Sequence, residues 1–321
     1  MSAIAPWQAD AWRSLSTALA SGRLHHALLF ASPAGLGKRA LVEAFVAAAL
    51  CQNRRADGHA CDACRACVLR IAGSHPDRVH VTLEVNPKTD KLRTEILIEQ
   101  IRDLSQRLSM SSQFGGLQVA TIDPADRLNA SAANGLLKTL EEPATATVIA
   151  LVADDASRLP ATIRSRCQRI ELHVPTTGEA LDWLRGQGLN PQRAQEALDA
   201  SLGNPGRALA WSADATLPLR ESCARDLAAL GRGQRSPLEI AEQWSADHPA
   251  ERLWFAAVIA REEAQRRAGS LTARDEIPKL AAWFSHANRA RGLLTTTLRI
   301  DLLLLDLLRA WPRRDAATER G

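Results

Sequence analysis

At 321 residues the chain exceeds what one ordinary core organises, so two or three packed units are expected. Its 46% hydrophobic and 24% charged residues suit a globular protein and exclude a disordered or fibrous chain. The net charge of +4, from 40 basic and 36 acidic residues, is too small an excess to identify nucleic-acid binding by itself, and no apolar run approaches the ~20 residues of a membrane span.

The first residues, Met1 to Arg13, lack the basic start and apolar middle of a signal peptide, which predicts a cytoplasmic location. Trp7 to Ser21 carries Trp12, Leu15 and Leu19 at helical spacing between Pro6 and Gly22, and predicts a helix. His26 to Ala31 is a run of strand length. Ser32 to Lys38 follows as a glycine-containing loop opening into a helix over Arg39 to Leu50, the start of an α/β unit. Further strands are predicted at Val79 to Leu83, Gln118 to Ile122, Val148 to Val152 and Gln168 to Leu172. Helices are predicted at Glu95 to Leu108 and Asn129 to Leu140, with a polar loop through Asn86-Pro87. Such alternation predicts a mainly parallel sheet covered on both faces. From Thr176 onward the pattern is helical, broken at Gly203-Asn-Pro-Gly206, Gly231-Arg-Gly233 and Pro278, with a tail at Arg313 to Gly321 expected to fray. The expected division is 1–173, 174–212 and 213–321.

A phosphate-binding loop needs glycines that let backbone N–H groups approach phosphate, a lysine for the β- and γ-phosphates, and a Ser/Thr hydroxyl for Mg²⁺. Ser32-Pro33-Ala34-Gly35-Leu36-Gly37-Lys38-Arg39 keeps Gly35, Gly37 and Lys38. Ser32 replaces the first glycine and Arg39 replaces the hydroxyl, and an arginine cannot ligate a cation. The strand Val119-Ala-Thr-Ile-Asp123-Pro124 supplies one carboxylate, Asp123, where an ATPase shows Asp-Glu, and Pro124 cannot polarise a water. Two defects in two motifs predict a retired nucleotide site that does not hydrolyse ATP.

Six cysteines in a cytoplasmic chain argue against a disulfide framework, and four of them cluster. Cys51, Cys61, Cys64 and Cys67, spaced C-x₉-C-x₂-C-x₂-C, supply four thiolates, which suit a structural, tetrahedral Zn²⁺. The last three are similar to part of a ferredoxin iron–sulfur motif, but the downstream Cys-Pro of that motif is missing. His59 or His75 are possible substitute ligands that a complete set of sulfurs does not need.

Asn134-Gly-Leu-Leu-Lys-Thr-Leu-Glu-Glu-Pro143 is an amphipathic helix with Leu136, Leu137 and Leu140 inward, ended by proline. Leu159-Pro-Ala-Thr-Ile-Arg-Ser-Arg-Cys167 is a turn that brings Arg164 and Arg166 to a surface before a strand. Together with His25-His26-Ala-Leu-Leu, His75-Pro76-Asp77 and Ile98-Glu-Gln-Ile-Arg102, these resemble the clamp-loader family of the bacterial DNA polymerase III. The resemblance covers about the first two thirds of the chain. It implies an α/β AAA+ P-loop module with a zinc-binding insertion at 51–67, a small helical lid over 174–212 and an all-α collar domain over 213–321. It implies a non-motor subunit of a hetero-pentameric ring, with motor subunits and a delta subunit as partners, that helps to load the sliding clamp onto primed DNA as part of the polymerase holoenzyme. ATP would be bound by the neighbouring subunits. Ser165-Arg166-Cys167 is similar to the family's SRC motif, so Arg166 is expected to act in trans on a neighbour's ATP. Arg207 lies one position from where a motor subunit carries a nucleotide-sensing arginine. Trp244, Trp254, Trp283 and Trp311 are expected to pack in the collar, since no basic stripe interleaves them. The alternatives are an active motor ATPase of the same loader and an autonomous zinc-containing DNA-binding protein.

Overall fold

A computed structural model describes residues 4–213, 216–268, 276–294 and 298–312, which leaves the tail at 313–321 outside the described residues. The chain separates into two compact units, 1–183 and 184–321.

The first unit is built on a five-stranded sheet. Its strands are β1 (Ala27–Ala31), β2 (Arg78–Val81), β5 (Gln118–Ile122), β6 (Thr147–Ala153) and β7 (Gln168–Ile170), in the order β2-β5-β6-β1-β7 with every pairing parallel. Apolar side chains on both sides of a strand require cover on both faces. Leu29, Ile122, Ile149 and Leu151 therefore lie in one core with Ile101, Leu104 and Leu108 of α4 (Ile98–Leu108) and Leu136 and Leu140 of α5 (Ala130–Glu141). Leu28, Phe30, Val148 and Val152 lie in the other, with Trp12 and Leu15 of α1 (Ala9–Ala20) and Leu41 and Phe45 of α2 (Lys38–Leu50). Each such side chain, once buried, stabilises the fold by about 1.5–3 kcal/mol.

Some local structure departs from the expected pattern. The helix expected from Glu95 begins at Ile98, because buried Ile96 runs extended against Leu128, its N–H bonded to the Arg127 carbonyl at 2.8 Å. A short helix, α3 (Arg65–Ile71), lies inside the cysteine segment. The polar loop at Asn86 is a small antiparallel hairpin of β3 (Val85–Asn86) and β4 (Lys91–Leu92). After β6 come α6 (Ala161–Arg164), which turns the chain into β7, and α7 (Thr177–Gly186), which carries the boundary between the units.

The described second unit is helical: α8 (Pro191–Ala200), α9 (Pro205–Ala213), α10 (Leu217–Gly231), α11 (Pro237–Ala246), α12 (Pro249–Ala268), α13 (Glu276–Leu293) and α14 (Ile300–Arg309). The breaks at Gly203-Asn-Pro-Gly206 and Gly231-Arg-Gly233 fall where α8 and α10 end. Pro278, by contrast, lies in the first turn of α13, where a helix tolerates a residue without an N–H. Fully buried Trp244 centres the core and its indole N–H donates to Asp226 at 2.9 Å. Trp283 is buried too, bonded to the Leu307 carbonyl at 2.8 Å, and Trp254 and Trp311 pack against the same core half-exposed.

Among the described residues no helix is long and apolar enough to cross a membrane.

Candidate functional site

The loop between β1 and α2 has the backbone a phosphate loop requires, with Gly35 at φ 92° and Gly37 at φ 81°, but its side chains are spent on the chain itself. Lys38 is 2% exposed, and its ammonium donates to the Ser32 carbonyl at 2.7 Å and to Asp154, just beyond β6. Burial lowers the Lys38 pKa in spite of that carboxylate. Arg39 spans the ends of two neighbouring strands. Its Nε lies 2.8 Å and its Nη2 2.8 Å from the two carboxylate oxygens of Asp123, and its Nη1 and Nη2 lie 3.2 and 3.3 Å from those of Asp154. Burial opposes the Arg39 charge, but the bonds to Asp123 and Asp154 outweigh it and hold the pKa above its ordinary value. Asp154 is likewise held below the ordinary carboxylate range, because hydrogen bonds from Lys38 and Arg39 overcome its burial. Two cations and two anions thus form a closed quartet at the mouth of the loop.

The loop is also covered from the N-terminal side. The Trp7 indole and the Gln8 amide both donate to the Leu36 carbonyl, at 3.0 and 2.9 Å, and Gln8 is fully buried. A Cβ at Gly37 would stand 2.7 Å from Gln8 Nε2, so glycine is required there by both contact and conformation.

The four cysteines converge. Cys51 caps the C-terminus of α2, Cys64 caps the N-terminus of α3, Cys67 lies within α3, and Cys61 lies on the loop between them. All four sulfurs lie within 4.8 Å of one another, and neighbouring ones are 3.6 Å (51–61), 3.9 Å (51–64) and 4.0 Å (61–67) apart. Four sulfurs at about 2.3 Å from a central Zn²⁺ would stand about 3.8 Å apart, so the spacing fits a tetrahedral thiolate site and not a disulfide, which needs about 2.05 Å. Backbone N–H groups of Cys61 and Cys64 donate to the sulfurs of Cys51 and Cys61, both at 3.3 Å. Burial disfavours a Cys64 thiolate, but backbone bonds from Cys67 and Gln52 bring its pKa down to about 6, while burial pushes Cys67 up to about 12. Metal uptake by such a set releases protons. The imidazoles stand elsewhere: His59 stacks on Trp12 with ring centroids 4.2 Å apart, and His75 packs on Phe114.

Arg166 follows α6. Its Nη2 lies 2.5 Å from Glu141 Oε1, at the end of α5, and its Nη1 donates to the Thr162 carbonyl at 2.9 Å. The side chain is 36% exposed, enough for an approaching surface to reach. Arg164 is exposed as well. Arg207 lies in the second unit with its guanidinium 3.8 Å above the Trp254 ring, where Arg291 also sits, 4.5 Å away.

A family model described as "DNA polymerase III, delta subunit" matches residues 7–176. The DNA polymerase III subunit delta' of Pseudomonas aeruginosa is 37% identical to the chain over 77% of its length and 73% of the relative's. The chain belongs to this family. The subunit delta' of Escherichia coli is 32% identical over 94% of the chain and 93% of the relative. The subunit tau of Bacillus subtilis is 31% identical, but over only 50% of the chain and 26% of the relative. Against this delta' family background, three residues were not singled out from the sequence. Asp154 carried no motif, only a position just past a strand, 116 residues from Lys38. Gln8 sat in an ordinary helical pattern, and Glu141 was one of two glutamates before Pro143.

Proposed function

We propose that the chain is a non-motor subunit of the DNA polymerase III clamp loader, which helps to load the sliding clamp onto primed DNA and hydrolyses no ATP itself. The observation that carries this reading is Arg39. It stands in place of the loop's magnesium-binding hydroxyl and is bonded to Asp123, the carboxylate that would face Mg²⁺, as well as to Asp154, so a cation could enter only by displacing a guanidinium that five hydrogen bonds retain. The same quartet counts against the motor reading. Lys38 spends two of its three donors on Asp154 and the Ser32 carbonyl and is buried, which draws it away from a β- or γ-phosphate, so Gly35, Gly37, Lys38 and Asp123 act as scaffold.

Arg166 is the arginine finger. It is permanently charged, planar and reachable on the surface, and suits charge stabilisation on a phosphoryl group held by a neighbouring motor subunit. Cys51, Cys61, Cys64 and Cys67 hold a structural Zn²⁺, which supplies a closed cross-link and no reaction step. In this reading 174–212 forms a lid and 213–321 a collar of a hetero-pentameric cytoplasmic ring shared with motor subunits and a delta subunit. The division at 212 would keep the lid in firm contact with the collar, since Trp211 packs on Phe255 at 4.8 Å.

The test is a reconstituted ring. The isolated chain should turn over no ATP, and Arg166→Ala should leave assembly intact while lowering clamp- and DNA-stimulated ATPase, with Arg166→Lys rescuing poorly. ATP turnover by the isolated chain that Lys38→Ala abolishes, or an Arg166→Ala ring that loads clamps at the parent rate, refutes the reading.

A further inference from the structure

The Arg166 guanidinium is engaged by its own chain through both terminal nitrogens, with Glu141 on one and the Thr162 carbonyl on the other. A carboxylate 2.5 Å away cancels the positive charge that a finger contributes, so Arg166 in this position is silent. Glu141 is also placed against local electrostatics: it is the last residue of α5, and a negative side chain at a helix C-terminus meets the negative end of the helix dipole. Nothing in the helix itself calls for a glutamate there, whereas Arg166 gives it a partner. With side chains 36% and 48% exposed, the pair is weak enough for a stronger anion to dissolve it.

We propose that Glu141 is a positioning residue for Arg166, holding the guanidinium neutralised on this chain's surface and releasing it to a neighbour whose nucleotide carries a γ-phosphate. The proposal rests on reading Arg166 as a finger. A terminal phosphoryl group offers more charge and more acceptor oxygens than one carboxylate, and so outcompetes Glu141. A neighbour holding a nucleoside diphosphate presents no γ-phosphate at that distance, and Arg166 stays with Glu141. The pair therefore keeps Arg166 on this chain's own surface until a neighbour presents a γ-phosphate, at the cost of breaking one surface ion pair.

The experiment measures the affinity of the full chain for its motor subunits with a non-hydrolysable ATP analogue and with ADP, alongside the ATPase of the reconstituted ring. In the parent the analogue state binds more tightly. Glu141→Gln should widen that preference about two- to fivefold, the range set by a surface ion pair, by sparing the analogue state the cost of breaking the pair, with the ADP state unchanged and without the ATPase loss of Arg166→Ala. Glu141→Asp should lie between the two, Glu142→Gln on the neighbouring residue should match the parent, and adding Glu141→Gln to Arg166→Ala should change nothing further. An unchanged preference in Glu141→Gln, or an ATPase loss as deep as that of Arg166→Ala, overturns the latch and leaves the finger standing. If Arg166→Ala alters neither measurement, the finger reading itself falls, and the latch with it.

Discussion

Replacing Asp154 by asparagine isolates the quartet at the loop mouth. The substitution keeps the shape but removes the anion that Lys38 and Arg39 share, leaving the Lys38 ammonium buried with only neutral oxygen acceptors. Removing one partner of a buried ion pair costs about 3–5 kcal/mol. Asp154 is 39% exposed and Arg39 keeps Asp123, so water and the remaining carboxylate recover part of this and about 2–3 kcal/mol is expected. The sign of the pH dependence follows from the shifts. Asp154 is depressed in the folded chain, so its contribution is fully present above the unfolded carboxylate pKa of about 3.9 and is lost as pH falls through the lower folded value. The deficit of Asp154→Asn should therefore be flat near neutrality and shrink in acid. It should shrink again in alkali, where Lys38, already lowered by burial and now without its carboxylate, sheds its proton. Because the chain has two compact units, native-state hydrogen exchange of the β1 and β6 amides is the appropriate assay. Equal protection in parent and variant at neutral pH, or a deficit undiminished at pH 3, would refute the argument.

Two further substitutions test neighbouring parts. Gly37→Ala should destabilise the first unit by about 2–3 kcal/mol in the same exchange experiment, through a side chain at φ 81° and the collision with Gln8; a loss below 0.5 kcal/mol would mean that the loop relaxes freely. Elemental analysis should return one zinc per purified chain and none for Cys67→Ser, and iron, or no metal in the parent, would remove the zinc assignment.

Most of the sheet was legible because buried parallel strands announce themselves. All five residues of β5 are buried, and the apolar run Gln118 to Ile122 marked both ends of it. The cysteine quartet was legible from spacing alone, since a short segment with four thiols has few ways to bury them. The hairpin β3–β4 was not, because its strands are two residues each, mostly exposed, and carry no apolar alternation. Asp154 and Glu141 were hidden for a different reason. Each acquires its meaning from a partner far along the chain, and a lone acidic residue after a strand or at a helix end has many ordinary uses. Arg39 was read as a lost ligand; that it bridges the strand ends itself is information only the folded chain holds.

The helix α2 joins the two charged features of the first unit, with Lys38 and Arg39 in its opening turn and Cys51 directly after its last residue. Thirteen residues make a rod about 20 Å long, and this one is fastened at each end by groups belonging to the same polypeptide. On the proposed reading, with carboxylates at its front and a thiolate-held Zn²⁺ at its back, its tilt does not follow ATP, and this unit presents a neighbour with a surface of constant shape.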